Sequence, residues 1–330
     1  MEFLQIIWFV LIGVLFAGYA ILDGFDLGVG ILTPFLAKTD DEKRVLFNAI
    51  GPMWDGNEVW LLTGGGALFA AFAPVYATVF SGFYLALMLV LFALIFRAVS
   101  FEYWAHDEKR RTLWCRAVVI GSFLPSLLYG VALGNVMLGI PLDPARDFAG
   151  NFFTLLRPFP LLTGILGLLM FLIHGGVFTI MKTEGDIRTR AVGITKKLLL
   201  VFPVILLLVI ALGVIQIDGI ASHLVGWIFV ALMFVFWFMT KNAIEKNEEG
   251  RGFFFSSLIN LFNMAALIAF QFPILVRATD SNLNMTIYNS SSSKLSLTVM
   301  LIIAGIGMPI VIGYTIYVYK IFKGKVRLEE

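Results

Sequence analysis

Long apolar segments recur along the whole chain, and they constrain its fold more than any other feature. A helix that crosses a lipid bilayer needs about 20 mostly apolar residues, and nine segments are candidates for such helices. They lie near residues 5–30, 52–73, 76–98, 115–139, 158–181, 197–217, 222–240, 254–276 and 296–319. The second segment is the least apolar, and without it eight would remain. Transmembrane barrels need alternating segments of about ten residues, and the sequence shows no such alternation.

The composition agrees with a membrane protein. Hydrophobic residues make up 59% of the 330 residues and charged residues only 14%, whereas soluble domains carry about 25% charged residues. A soluble fold of this chain would therefore have too little polar surface to face water. The sequence predicts an all-α, polytopic protein that forms a single integral membrane domain over residues 1–330, with no separate soluble domain.

Basic residues concentrate on alternate loops, and this pattern predicts the orientation. Lys and Arg accumulate in the cytoplasmic loops of membrane proteins. With nine spans, 20 of the 24 basic residues follow the odd-numbered spans and fall on one side. The other side holds only Arg146, Arg157, Arg277 and Lys294. Because removal of the second span would destroy this alternation, we expect nine crossings, with the N-terminus outside and the C-terminus in the cytoplasm. The net charge of +2 says little about partners, because the basic residues are localised, and we expect no nucleic-acid partner.

The histidines and the single cysteine argue against a metal or haem site in this chain. Cys115 alone cannot build a four-cysteine zinc site or an iron–sulfur cluster. His106 lies in a charged inner segment and His223 at the outer end of the seventh span, so only His174 lies at membrane depth. A haem held by two histidines would need both at matching depth. We expect no haem and no metal here, and we expect His174 to form hydrogen bonds within the bundle or to a partner.

Five ionisable residues are predicted to meet near the cytoplasmic side. The first span runs inward, so Asp23 and Asp26 lie toward its inner end. The second span begins inside with Asp55 and Glu58, and the third ends inside at Arg97. Ionisable groups at the centre of a membrane helix cost about 2.5–3.5 kcal/mol each on insertion scales, which makes them functional candidates.

The residues alone leave two interpretations of this cluster open. Asp55 and Glu58 are spaced to share one helix face, as are Asp23 and Asp26. Close carboxylates with little solvation can exchange protons near neutral pH, as a proton path requires. Alternatively, these side chains cap helix starts, pair with Arg97 and meet interfacial water.

Three segments in the first hundred residues carry a resemblance to a known family. They read DGFDLGVGIL, GPMWDGNEVWLLTGGGALFAAF and SGFYLALMLVLFALIFRAVSFEYW. Together they resemble subunit II of the cytochrome bd-type quinol oxidases, and later pieces such as GSFLPSLLYGVALGN agree. The resemblance covers essentially the whole chain.

The resemblance implies a respiratory complex of a prokaryotic cell membrane that oxidises quinol, reduces oxygen to water and thereby generates a proton gradient. In this family, subunit I carries two b-type haems, haem d and the site of quinol oxidation. Subunit II binds no haem and forms two four-helix bundles plus one peripheral helix. The resemblance thus implies a haem-bearing subunit I as the partner, with the quinone pool and lipids around the complex. It leaves open which quinone is used, whether a structural quinone or lipid binds, and which small single-helix accessory subunits attach.

The resemblance also implies roles for particular residues. It places Asp55 where protons enter a path along the interface with subunit I. It matches Asp26 and Arg97 to polar positions buried near that interface. Some family members have Gln where this chain has Glu58, so Glu58 is a weaker candidate for the same path. Trp54, Asn57 and Asp23 are interface or structural candidates.

Three functional hypotheses follow. The first is a haem-free subunit of a terminal oxidase that stabilises subunit I and helps to deliver protons. The second is a self-contained, proton-coupled secondary transporter, since acids embedded in helices suit both classes. Transporters often place paired broken helices at the membrane midplane, and the sequence shows no obvious pair. The third is a passive scaffold without a proton role.

Overall fold

The computed structural model describes residues 1–327, and α-helices account for most of them. In chain order the helices are α1 Glu2–Leu36, α2 Asp40–Ile50, α3 Trp54–Ala71, α4 Ala73–Gly82, α5 Tyr84–His106, α6 Arg111–Leu138, α7 Pro158–Lys182, α8 Gly185–Gln216, α9 Leu224–Glu245, α10 Glu249–Gln271 and α11 Lys294–Ile321. A short antiparallel pair of strands, β1 Ile274–Val276 and β2 Met285–Thr286, lies in the loop before α11. Residues 328–330 of the predicted single domain lie outside the described part of the chain.

Eight helices within residues 1–327 are long and apolar enough to cross a membrane, which confirms the predicted all-α membrane fold. Helix α3 corresponds to the remaining predicted span and is less apolar, because Asp55, Asn57 and Glu58 occupy its first turns. It nevertheless runs antiparallel beside α1: Asn57 contacts the Leu22 carbonyl, and Leu68 shares a cluster of buried apolar residues with Trp8. Helix α3 therefore runs along α1 from the level of Leu22 to that of Trp8.

The helices form two groups of four with α11 on the outside. Helices α1, α3, α5 and α6 form the first group, and helices α7 to α10 form the second. Helix α1 also packs against α7 and α10, and α6 packs against α7, so α1 and α6 join the two groups. Most residues of α11 are exposed, and it touches the rest of the protein along α1 and α3. This arrangement places α1 at the centre of the fold.

Glycines allow α1 and α7 to cross at close range. A Cβ atom on Gly28 would lie 2.0 Å from the Phe171 carbonyl oxygen, and one on Gly175 would lie 2.5 Å from the backbone of Gly28. Small residues at such crossings let helix backbones approach closely in membrane proteins. The Gly28–Gly175 contact therefore sets the distance between α1 and α7.

The predicted boundaries differ from the structure at several spans, most of all at the start of the sixth, where α8 begins at Gly185 and not near residue 197. Residues 76–83, predicted as the start of the third span, belong to the short helix α4 and to a break at Phe83, and the spanning helix α5 begins at Tyr84. The eighth span ends at Gln271 and not near residue 276, because Pro273 cannot continue a helix.

Helix α2 was not predicted, since it lies in a polar loop between two spans. A capping box formed by Thr39 and Glu42 starts it. Glu42 also pairs with Arg190 of α8, and Asp40 pairs with Arg111 of α6 at 3.4 Å. These ion pairs attach α2 to one helix of each group.

We predict that Gly28→Ala destabilises the protein by about 1–3 kcal/mol, because the new methyl group must push α1 and α7 apart. Gly193→Ala on α8 is the matched control, since a Cβ atom there would meet open space. The measurement is the melting temperature of each purified variant in detergent. Equal melting temperatures for the two variants would show that the crossing tolerates a methyl group.

Candidate functional site

The candidate site is a buried charged cluster where α1, α3 and α5 meet. Arg97 of α5 is 0% exposed. Its Nη1 donates to Glu58 Oε1 of α3 at 2.5 Å and lies 3.5 Å from Asp23 Oδ1 of α1. Asp23 is also fully buried, whereas the Glu58 side chain is 19% exposed. Glu58 is thus the member of this ion-pair network that reaches the protein surface.

Asp26 lies one turn further along α1, and its carboxylate accepts a hydrogen bond from a side-chain amide. The Asn57 Nδ2 donates to Asp26 Oδ2 at 2.7 Å and to the Leu22 carbonyl at 3.1 Å. The Asn57 Oδ1 in turn accepts from the Tyr319 hydroxyl of α11 at 3.1 Å. A second polar chain therefore links α11, α3 and α1 beside the Arg97 network.

Aromatic side chains enclose the guanidinium of Arg97. Its centre lies 5.8 Å from the Trp54 ring centroid and 5.4 Å from that of Phe101. Contacts of this kind between a cation and an aromatic face stabilise the cation, by about 2 kcal/mol or more when both are desolvated. Tyr19, also buried, lies one helical turn before Asp23. The enclosure keeps the charges of the cluster in a medium of low polarity.

The charges within the cluster do not balance. One guanidinium faces the carboxyl groups of Asp23, Asp26 and Glu58. Buried charges are stable only when they are paired and hydrogen-bonded, so a neutral cluster must hold protons on the excess carboxyl groups. Within residues 1–327, Asp23 Oδ2 and Asp26 Oδ1 have no hydrogen-bond partner. These two buried carboxyl oxygens are therefore available for a proton or a further hydrogen-bond donor.

Asp55 lies apart from this cluster, although it was predicted to join it. It occupies the first turn of α3 and is exposed. Glu58, three residues later, turns inward to Arg97. Of the four carboxylates that were predicted to converge, the structure brings together Asp23, Asp26 and Glu58 and leaves Asp55 at the surface of the same helix end.

His174 is held by hydrogen bonds within the bundle, as the sequence predicted. Its Nδ1 lies 2.8 Å from Ser256 Oγ of α10, and its Nε2 lies 2.9 Å from the Ile21 carbonyl of α1. The ring also stacks on Phe253, with centroids 4.9 Å apart. Among the described residues, no group of three or more His, Cys, Asp or Glu side chains is arranged to hold a metal ion.

The contribution of Tyr319 was missed at the sequence level. Tyr314 and Tyr317 lie on the same helix, and nothing in their spacing distinguishes Tyr319 from them. In the structure Tyr314 and Tyr317 are exposed, and only Tyr319 of the three reaches Asn57. The packing angle of α11 on α1 and α3 determines which tyrosine faces inward. That angle cannot be predicted from a single sequence.

Comparisons with known proteins agree across the full length. Residues 4–322 match the family described as cytochrome bd terminal oxidase subunit II. The cytochrome bd-I ubiquinol oxidase subunit 2 of Escherichia coli (strain K12) is 36% identical over 371 aligned positions, which cover 100% of this chain and 97% of the relative. The cytochrome bd ubiquinol oxidase subunit 2 of Bacillus subtilis (strain 168) is 35% identical, with coverage of 100% and 99%.

A solved structure shares the fold. A chain of the bd oxidase from Geobacillus thermodenitrificans superimposes with a TM-score of 0.82. The match covers 98% of this chain and 99% of the other, at 17% sequence identity. At that identity the likeness supports the fold alone.

We predict that Arg97→Gln destabilises the protein by about 3–5 kcal/mol, because it leaves buried carboxylates without their cation. Arg116→Gln is the matched control: Arg116 lies on α6 and is exposed. The two variants are compared by thermal melting of the purified protein. A loss of stability no greater for Arg97→Gln than for Arg116→Gln would contradict a structural role for the ion pairs.

Proposed function

The chain belongs to the cytochrome bd terminal oxidase subunit II family, and from this membership we propose that it is the haem-free subunit of a quinol-oxidising complex. The observation that carries the proposal is the family match over residues 4–322. The match favours the terminal oxidase over the transporter hypothesis, although the buried acidic residues alone agreed with both. The relatives from E. coli and B. subtilis are named as ubiquinol oxidase subunits, which supports quinol as the electron donor of the complex.

The haems of the complex, two of type b and one of type d, belong to a partner subunit I in this proposal. The residues of this chain do not fit a haem: its single membrane-depth histidine, His174, already uses both ring nitrogens in hydrogen bonds. Quinol oxidation is likewise assigned to the partner. The chemistry left to this chain is the support of subunit I and the supply of protons for the reduction of oxygen to water.

The charged cluster is the proposed route for those protons. Asp55 stands exposed at the start of α3, one turn before the partly exposed Glu58. Glu58 contacts Arg97, which in turn approaches the fully buried Asp23. Each step moves further from the surface, so a proton taken up at Asp55 would pass inward through carboxyl groups of decreasing exposure. Asp26, also fully buried and with one carboxyl oxygen free of partners in the described chain, belongs to the same route.

The exposed face of α3 forms a surface that suits the partner subunit. Val59, Leu62 and Phe69 follow Asp55 along the exposed face of this helix. Apolar side chains on α5, among them Phe96, are exposed as well. An apolar surface beside Asp55 would bring the proton route to the boundary with subunit I, where its protons are used.

The orientation in the membrane follows from the basic loops. We propose that the N-terminus lies outside and that the ends of α1 and α11 near the charged cluster face the cytoplasm. The uneven distribution of Lys and Arg supports this orientation. Protons would then enter the cluster from the cytoplasm of a prokaryotic cell.

Purification tests the proposed function directly. Extracted in mild detergent, a tagged form of the chain should bring down a haem-bearing partner with quinol-dependent oxygen consumption. The readouts are the haem absorption spectrum and an oxygen electrode. A colourless, lone chain that transports a solute after reconstitution would support the transporter instead.

We predict that Asp55→Asn slows quinol-dependent oxygen reduction by about tenfold, which corresponds to about 1.4 kcal/mol of added barrier. Haem content should stay unchanged, since Asp55 is exposed and does not support the fold. Asp41→Asn, an exposed aspartate of α2, is the control and should keep the normal rate. A normal rate for Asp55→Asn in the assembled complex would remove Asp55 from the proton route.

A further inference from the structure

Helix α11 lies outside the two groups of helices, yet it is anchored near both of its ends. Near one end, the Trp8 indole N–H donates to the Leu297 carbonyl at 3.0 Å. Between the ends, side chains such as Ile306 and Ile310 are exposed. Near the other end, Tyr319 reaches the charged cluster. A helix with so few contacts depends on its end contacts for its position.

The Tyr319 hydroxyl is one of three partners that fix the Asn57 amide. It donates to Asn57 Oδ1, and the two N–H groups of Asn57 Nδ2 go to the Leu22 carbonyl and to Asp26 Oδ2. An amide has one acceptor oxygen and two N–H donors. A turned amide would place its oxygen against the Leu22 and Asp26 oxygens. Both polar atoms of the Asn57 side chain therefore have hydrogen-bond partners: Oδ1 has Tyr319, and Nδ2 has Leu22 and Asp26.

A short segment after α11 fastens its inner end to the second group of helices. We call residues 322–327 the C-terminal strap. Lys182 Nζ at the end of α7 donates to the Phe322 carbonyl at 2.6 Å, and the Val326 N–H donates to the Lys182 carbonyl at 2.9 Å. Lys325 Nζ lies 3.0 Å from Glu249 Oε1 of α10. The strap thus fixes α11 only a few residues beyond Tyr319.

We propose that Tyr319, held in place by the C-terminal strap, is a positioning residue that orients the Asp26 carboxylate through the Asn57 amide. The proposal rests on the proposed function, in which Asp26 belongs to the proton route. Asn57 occupies Asp26 Oδ2 and leaves Oδ1 for proton exchange. While the hydroxyl holds the Asn57 amide in place, Asp26 Oδ2 stays hydrogen-bonded and Oδ1 stays available for proton exchange.

Loss of the hydroxyl would release that constraint without removing the ring. In Tyr319→Phe the side chain still packs edge-on against Phe25, whose ring centroid lies 6.4 Å away. The Asn57 Oδ1 would then lose its donor, and the amide would be held against Asp26 by its N–H groups alone. The other ionisable groups that face Asp26, namely Asp23, Glu58 and Arg97, would be unchanged.

The test uses the intact oxidase complex with the single substitution Tyr319→Phe. We expect kcat for oxygen consumption to fall about tenfold with KM for quinol unchanged, because the proposed function assigns quinol oxidation to the partner subunit. We also expect a displaced pH profile of kcat, which a purely structural role would not produce. Haem content and melting temperature are recorded to show that the complex is assembled.

Tyr317→Phe is the matched control, since Tyr317 lies on the same helix and is exposed. If Tyr319→Phe and Tyr317→Phe share one kcat and one pH profile, the positioning role is overturned. Asp26→Asn separates this result from the proposed function. If kcat is low for Asp26→Asn and normal for Tyr319→Phe, only the role of Tyr319 is overturned. Normal rates for both remove Asp26 from the proton route as well.

A second pair of variants tests the strap. Lys182→Met removes the donor to the Phe322 carbonyl while it keeps a long apolar stem, and we expect it to displace the pH profile in the same direction as Tyr319→Phe. Lys323→Met is its control, because Lys323 is exposed on the strap itself. A wild-type profile for Lys182→Met would overturn the part of the proposal that assigns the position of Tyr319 to the strap.

Discussion

The burial of the Arg97 guanidinium is the constraint on which the rest of the structure depends. A charge inside an apolar bundle is stable only where opposite charges and polarisable groups surround it. Asp23 from α1, Glu58 from α3 and the rings of Trp54 and Phe101 supply that environment. These groups come from different helices. The relative depth and rotation of α1, α3 and α5 must therefore allow all of them to contact the same guanidinium.

Close backbone packing complements this polar constraint on the other side of α1. There the helix meets α7 at Gly28 and Gly175 with no side chain between the backbones. The His174 ring adds a hydrogen bond to the Ile21 carbonyl in the same region. Helix α1 is therefore held by an ion pair on one side and by close backbone packing on the other. Its acidic residues keep a defined position within a protein whose other contacts are mostly apolar.

The sequence predicted the fold well because its strongest signals are physical. Apolar length set most of the spans, and the basic loops indicated that the weakly apolar segment at Trp54–Ala71 belonged among them. The approach of Asp23, Asp26, Glu58 and Arg97 followed from that topology together with the depth of each residue. Segments whose structure depends on local detail were harder to predict. Helix α2 forms in a polar loop through a capping box, and the break at Phe83 has no hydropathy signal.

The contact between Tyr319 and Asn57 has a consequence for how the protein is made. The two residues are 262 positions apart in the chain. All the helices from α4 to α10 must leave the ribosome and enter the membrane before their hydrogen bond can form. The Asn57 amide oxygen thus stays without its final partner during most of synthesis, and the polar network of α1, α3 and α5 closes only when α11 arrives. Completion of the buried network therefore coincides with completion of the membrane-inserted fold.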